Sequence, residues 1–215
     1  SLNNQFVVKL SQPRVQFPDK FDWHDTATYG PDLGVIERAG WADDLGNGYW
    51  NTLERKYVWK CFSLMRDWRR QSCPPELSAT YYASGGYAGL CGGIRIHCFA
   101  NAFFHMIHSP DLTDDDIVFF LGMMQEHGWR MADLCEQFNK ADPYAKPSPN
   151  HKTVTRSGLF VIAVMFPEFK QSAKWTELSL KSLEEEMRLM VLDDGFQREL
   201  CPGYHTNCVM DYLGV

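Results

Sequence analysis

A long helical repeat runs through the middle of this 215-residue chain. Beyond Thr113, apolar or small residues recur at alternating steps of four and three, which places them on one face of a helix. They are Ile117, Leu121, Met124, Gly128, Met131, Cys135 and Phe138. Thr113 suits an N-cap, and the three aspartates that follow it favour the positive end of the helix dipole. Because other elements must cover so long an apolar face, the pattern predicts a packed helical domain.

Four other segments show helical signals of the same kind. Apolar residues from Leu53 to Trp68 recur at steps of three and four, and Pro74-Pro75 ends that helix. The remaining predicted helices cover about residues 93–108, 150–165 and 175–190. The last of them stops before Asp194-Gly195, a typical helix exit.

The rest of the chain predicts loops rather than strands. Residues 1–34 are rich in proline, glycine, aspartate and aromatic residues, and we expect an irregular N-terminal segment there. Residues 72–92, with two prolines and several glycines, predict a long loop. No stretch shows convincing strand alternation. Residues 35–215 therefore predict an all-α domain of consecutive helical hairpins, arranged as an array or a toroid.

Charge and composition exclude several function classes. The net charge of −6 argues against a general nucleic-acid binder, which carries a basic face. No apolar run is long enough to cross a membrane, so no membrane partner is expected. The glycines between 85 and 93 lack the preceding strand of a nucleotide-binding loop. Hydrophobic residues make up 45% of the chain, which suits a packed globule.

Two polar pairs carry the candidate chemistry. Asn150-His151 begins a predicted helix, and Tyr204-His205 lies one helical hairpin further along the chain. An amide can donate to a carboxylate without titrating, and a phenol beside an imidazole can transfer protons. Taken singly, such an asparagine is more often a helix N-cap, and such a tyrosine is more often a surface or packing residue.

Other charged groups flank these pairs. Residues 140–156 contain four basic side chains against one acidic one, and they include Lys152 and Arg156 as candidate contacts for an anionic substrate. A solvated loop explains the same charges. Asp194 and Glu199 lie near Tyr204, and paired carboxylates are the tools of glycoside hydrolysis. These two acids are also explained as parts of a turn.

Several short motifs follow one another along the chain in a set order. They are Tyr87-x-x-Leu90 with Gly93-Ile94-Arg95 and Ser109-Pro110, then Asn150-His151 with Gly158-Leu159-Phe160 and Phe166-Pro167-Glu168-Phe169-Lys170, then Asp194-Gly195, Glu199 and Tyr204-His205. This order resembles that of the heparinase II/III-like polysaccharide lyases. The ordered set is far more specific than any one of its pieces.

The resemblance implies a fold and an activity. The fold would be an incomplete α/α toroid, and the family's C-terminal β-sandwich would be absent from this chain. The activity would be cleavage of a uronate polysaccharide by β-elimination, with heparan sulfate favoured and alginate or oligoalginate as the alternative. A helical module that binds glycans without catalysis is the other reading. The resemblance also implies a periplasmic or secreted location.

The resemblance assigns roles to particular residues. Asn150 would neutralise the uronate carboxylate, and Tyr204 would donate a proton to the leaving oxygen and is also a candidate base. His151, His205 and Arg95 become candidate substrate contacts. No cofactor is expected in this chain, since any metal site of the family would lie in the C-terminal domain. The expected partner is an acidic polysaccharide.

Overall fold

The protein is helical along most of its described length. The computed structural model describes residues 2–7, 13–72, 89–141 and 149–213. Within these residues the helices are α1 (Thr26–Tyr29), a 3₁₀ helix (Pro31–Arg38), α2 (Gly40–Thr52), α3 (Arg55–Ser72), α4 (Gly89–Met106), α5 (Asp114–Lys140), α6 (Pro149–Met165), α7 (Ser172–Met190) and α8 (Pro202–Leu213). None of these helices has both the length and the apolar character needed to cross a bilayer. The predicted all-α fold is confirmed.

A small aromatic cluster packs the N-terminal segment against α3. Strands β1 (Gln5–Phe6) and β2 (Val15–Gln16) pair antiparallel. Phe6 contacts Trp23 across a centroid distance of 6.3 Å. The Trp23 indole donates to Asp67 of α3 at 2.9 Å. The segment predicted to be irregular therefore contains a short strand pair, although the domain boundary at residue 34 stays a prediction.

Helix α6 is the central element of the fold. It packs against α4, α5, α7 and α8. Residues 152–159 of this helix are all buried, polar side chains included, because other elements surround the helix there. Its approach to α4 is very close, because a Cβ on Gly158 would lie 2.9 Å from the Gly93 Cα. The two glycines let the helix backbones meet.

Three predicted boundaries are wrong. Leu53 is not in a helix: it ends α2 in the left-handed conformation, with φ 57°, and is 70% exposed. Helix α4 begins at Gly89 rather than at residue 93, so residues 89–92 are not loop, and it ends at Met106. The close packing on α6 explains why glycines begin this helix. The rest of the predicted loop, residues 73–88, lies outside the described residues.

Two long helices were not predicted. Helix α2 contains three glycines, which weaken its apolar pattern. One of them, Gly46, has no room for a side chain, since a Cβ there would lie 2.7 Å from the Ala102 Cα in α4. Helix α8 begins with a proline at its first position, a common helix start that the sequence does signal.

Candidate functional site

Three of the four residues in the predicted polar pairs, Asn150, His151 and Tyr204, meet at a pocket of about 460 Å³. The pocket lies where the end of the 3₁₀ helix and the starts of α4 and α6 face α8. Its lining residues are Arg38, Leu90, Ile94, Asn150, His151, Val154, Tyr204, Asn207, Met210 and Asp211. The structure therefore brings Asn150, His151 and Tyr204 together, although a helical hairpin separates them in the sequence.

Asn150 lies at the N-terminal end of α6. It is the second residue of the helix and is 9% exposed. The positive end of a helix dipole and its free N–H groups favour an anion at such a position. Because Asn150 lies inside the helix, it is not the N-cap that the alternative interpretation required.

Tyr204 presents its phenol from the first turn of α8. Its side chain is 47% exposed and lines the pocket. Asn207 and Asp211 follow at helical spacing on the same face of α8 and also line it. Tyr204 is thus accessible to a ligand and shares its helix face with two polar residues.

His205 lies next to Tyr204 in sequence but does not line the pocket. Its ring stacks on Phe196 at a centroid distance of 4.4 Å. Its Nδ1 accepts a hydrogen bond from the Gln197 N–H at 3.3 Å. His205, predicted to contact the substrate, instead packs the preceding turn against α8 in this structure.

Two titratable groups in the pocket have shifted pKa values. The His151 pKa is lowered mainly by burial and also by the positive charge of Arg38, while Glu199 acts in the opposite direction. The imidazole is therefore held toward its neutral form. Burial raises the pKa of Asp211 to about 6, which favours its protonated form.

Arg95 is a core residue rather than a surface contact. Its side chain has no exposed surface. The guanidinium lies over the Trp68 ring at 4.1 Å, and Nε donates to the Glu37 carbonyl at 2.6 Å. A planar guanidinium that stacks on an indole can be buried in this way. A direct contact with a polysaccharide is therefore ruled out for this conformation.

Lys152 and Arg156 lie on the face of α6 opposite the pocket. They are 2% and 6% exposed. Arg156 forms an ion pair of 2.5 Å with Glu186 of α7, which also accepts from Thr153. A cavity of about 120 Å³ borders this cluster. These two basic side chains, which were predicted to contact the substrate, lie between α6 and α7 instead.

The acids considered for hydrolysis belong to the turn before α8. Asp194 accepts from the Phe196 N–H at 2.9 Å, next to Gly195 with its φ of 84°. The Glu199 N–H donates to the Gln197 side chain at 2.7 Å. Neither acid lines the pocket. These contacts fit the turn interpretation.

Sequence reasoning missed three polar residues of the site. Asn207 and Asp211 were detectable, since they follow Tyr204 at the spacing of a helix face. Arg38 lies more than a hundred residues before them, and only tertiary packing brings it to the pocket. Among the described residues, no three His, Cys, Asp or Glu side chains are grouped as metal ligands would be. The expected lack of a cofactor stays a prediction.

Known proteins resemble this chain over nearly its whole length. The family model Heparinase II/III N-terminus matches residues 2–215. A heparin-sulfate lyase of Bacteroides stercoris is 22% identical over 219 residues, covering 95% of this chain and 31% of that protein. Another from Pedobacter heparinus is 26% identical over 178 residues, covering 83% and 25%. The chain thus spans about a third or less of the length of these relatives.

Solved structures show the same fold. A mutant heparan sulfate lyase from Pedobacter heparinus has a TM-score of 0.78 at 22% identity, with 99% of this chain and 32% of that chain covered. A heparinase III structure has a TM-score of 0.79 at 20% identity, with 99% and 34% covered. The helical arrangement is therefore shared with one part of these larger proteins. From the family match over residues 2–215, the chain belongs to the heparinase II/III family, in its N-terminal region.

Proposed function

We propose that this chain is the helical part of a polysaccharide lyase that cleaves a uronate-containing glycan by β-elimination, with heparan sulfate as the favoured substrate. The observation that carries the proposal is the pocket in which Asn150, His151 and Tyr204 converge. The names of the relatives support the choice of heparan sulfate. An acidic polysaccharide is accordingly the proposed partner, and a periplasmic or secreted location is proposed with it.

The proposed reaction divides between an anion site and a proton-transfer group. A base removes the C5 proton of the uronate, the C4–O4 bond breaks, a C4–C5 double bond forms, and the leaving O4 receives a proton. Asn150 donates to the uronate carboxylate and so stabilises the negative charge that develops on it. The α6 N-terminus adds a favourable field at that point. Tyr204 delivers the proton to O4 and is also the candidate base.

The two histidines next to Asn150 and Tyr204 have supporting roles in this proposal. His151, which is held toward neutrality, can donate or accept a hydrogen bond with a sugar hydroxyl. His205 packs against Phe196 and so holds the turn that leads into Tyr204. Its role is therefore to position the first turn of α8.

Single substitutions test the assignment. The protein is incubated with heparan sulfate, and the ultraviolet absorbance of the unsaturated uronate is followed. Tyr204→Phe should lower the rate about 10²–10⁴-fold, because it removes the transferable proton. Asn150→Ala should lower the rate about 10²–10³-fold by removing charge stabilisation. Tyr57→Phe and Asn51→Ala, outside the pocket, are the matched controls and should leave the rate unchanged.

Other outcomes would favour the alternative functions. Binding of heparan sulfate without any unsaturated product would favour a glycan-binding module. Faster cleavage of alginate than of heparan sulfate would move the proposed substrate to alginate. New reducing ends without a double bond, lost in Glu199→Gln, would favour a hydrolase. An unchanged rate of cleavage in Tyr204→Phe would show that Tyr204 transfers no proton in the reaction.

A further inference from the structure

The pocket contains one cationic side chain among its described lining residues, that of Arg38. We propose that Arg38 is an anion-binding residue of the site, whose guanidinium binds a carboxylate or sulfo group of the glycan beside Asn150 and His151. This inference rests on the proposed function and adds a substrate contact to it. A planar guanidinium suits such a role, since it offers paired N–H donors to two oxygens.

The Arg38 guanidinium has an unsatisfied donor. Its Nε is buried and has no hydrogen-bond partner among the residues that the structure describes. No carboxylate in the described ranges forms an ion pair with this arginine, although Asp211 lines the same pocket. A buried donor left without a partner is rare in a native protein and is usually explained by a ligand, water or ion. The guanidinium is close enough to His151 to affect its pKa, which places the charge beside the proposed uronate site.

The backbone immediately before Arg38 is held by hydrogen bonds from other elements. The Ile36 carbonyl accepts from the Trp41 indole at 3.0 Å, and the Glu37 carbonyl accepts from the buried Arg95 at 2.6 Å. The Glu37 side chain also pairs with His24 at 3.0 Å. These contacts hold the end of the 3₁₀ helix in place, so Arg95 acts as a positioning residue for Arg38.

The residue after Arg38 adds a strained turn. Ala39 has φ 61° and ψ 24°, a left-handed conformation that residues other than glycine rarely adopt, and it is 1% exposed. Such backbone strain persists only where the surrounding structure enforces it, and it occurs often at ligand sites. The turn between the 3₁₀ helix and α2 leaves the Arg38 side chain at the pocket.

Calorimetric binding measurements with two probes test the proposal. One probe is an unsulfated uronate oligosaccharide, whose anionic groups are carboxylates. The other is carboxyl-reduced heparan sulfate, whose remaining anionic groups are sulfo groups. Arg38→Ala should bind at least one probe about 10- to 100-fold more weakly than the unaltered protein. Arg38→Lys keeps the positive charge but lacks the planar guanidinium, and it should also bind the probe more weakly than the unaltered protein does. This second variant keeps the test valid if Arg38→Ala fails to fold. Arg188→Ala is the control, because that side chain is 73% exposed on α7.

The pattern of losses identifies the bound group. A loss confined to the unsulfated probe assigns a carboxylate, and a loss confined to the carboxyl-reduced probe assigns a sulfo group. Unchanged affinity of both Arg38 variants for both probes, with the unaltered protein binding, would overturn this inference alone. Failure of the unaltered protein to bind either probe or heparan sulfate would overturn the proposed function and this inference with it.

Discussion

At the scale of single residues, the site is governed by a few charges around one imidazole. Burial and the Arg38 guanidinium lower the His151 pKa, and the Glu199 carboxylate opposes them. The low polarity of a partly buried site makes each of these charges matter more than it would in water. The protonation of His151 therefore reports directly on whether Arg38 faces the pocket.

Removing the Arg38 charge should raise the His151 pKa. Arg38→Ala takes away a positive neighbour, so the imidazolium becomes less costly to form. Glu199→Gln should lower the same pKa, because the opposing carboxylate is lost. The measurement is an NMR titration of the His151 ring protons, with Arg188→Ala as a control that leaves the titration unchanged. An identical His151 titration in Arg38→Ala would contradict the described position of Arg38.

At the scale of elements, α6 is held by two different kinds of contact. On one side it meets α4 through glycine backbones, at Gly93 and Gly158. On the other it is tied to α7 by the buried pair of Arg156 and Glu186, with side chains 7% and 2% exposed. Because Asn150 begins this helix, both contacts determine where its amide lies. Neither contact touches the pocket itself.

Breaking the buried ion pair should strongly destabilise the fold. Glu186→Gln leaves the Arg156 charge buried, which costs about 3–5 kcal/mol in the free energy of unfolding. Unfolding in urea measures this change in the free energy of unfolding. The exposed pair of Glu184 and Arg188 is the control, since Glu184→Gln should change the free energy by no more than about 1 kcal/mol. Equal effects of the two substitutions would show that the Arg156–Glu186 pair is not buried.

The glycine contact predicts a second difference in stability. A Cβ on Gly93 would overlap the Val154 carbonyl, so Gly93→Ala should cost about 1–3 kcal/mol. Gly122 of α5 has nothing within 4 Å of the position that a Cβ would occupy, and Gly122→Ala should stabilise the helix by about 0.4–1 kcal/mol. Thermal unfolding of the two variants should move in opposite directions. A stabilising Gly93→Ala would contradict the close approach of α4 and α6.

At the scale of the whole molecule, stability should depend on the protonation of Asp211. Its folded pKa is raised from 3.8 to about 6, so the folded protein binds more protons than the unfolded chain between those values. Stability contributed by this group is therefore present at low pH and is lost as pH rises through about 6. The remaining charges of the molecule add their own pH dependence.

Asp211→Asn should remove this loss. The variant should gain stability over the unaltered protein as pH rises from about 4 to about 7, because an amide has no ionised form to bury. Thermal midpoints across that range measure the difference. Asp193→Asn, at an exposed position, should follow the unaltered protein. A constant difference between Asp211→Asn and the unaltered protein at all pH values would contradict the raised pKa.

The sequence predicts this molecule well where periodicity is strong. The repeat beyond Thr113 and the apolar run after Asn150 both correspond to observed helices, α5 and α6. Helix α2 was missed because glycines interrupt its pattern, and one of them, Gly46, is needed for contact with Ala102, a tertiary requirement that no local pattern contains. Arg95 was misassigned for the same reason: its burial over Trp68 depends on how α3 and α4 pack. Arg38 could not be predicted, since the fold alone places it beside α6.

The position of the broken bond distinguishes β-elimination from hydrolysis most directly. Heparan sulfate is digested in water enriched in oxygen-18, and the products are examined by mass spectrometry and proton NMR. Cleavage by β-elimination gives a vinyl proton at the new non-reducing end. It leaves the original oxygen at the new reducing end, so no oxygen-18 is found there when the product is examined before the reducing end exchanges with water. Tyr204→Phe should form little of this unsaturated product. Oxygen-18 incorporated by cleavage without a vinyl proton would contradict β-elimination.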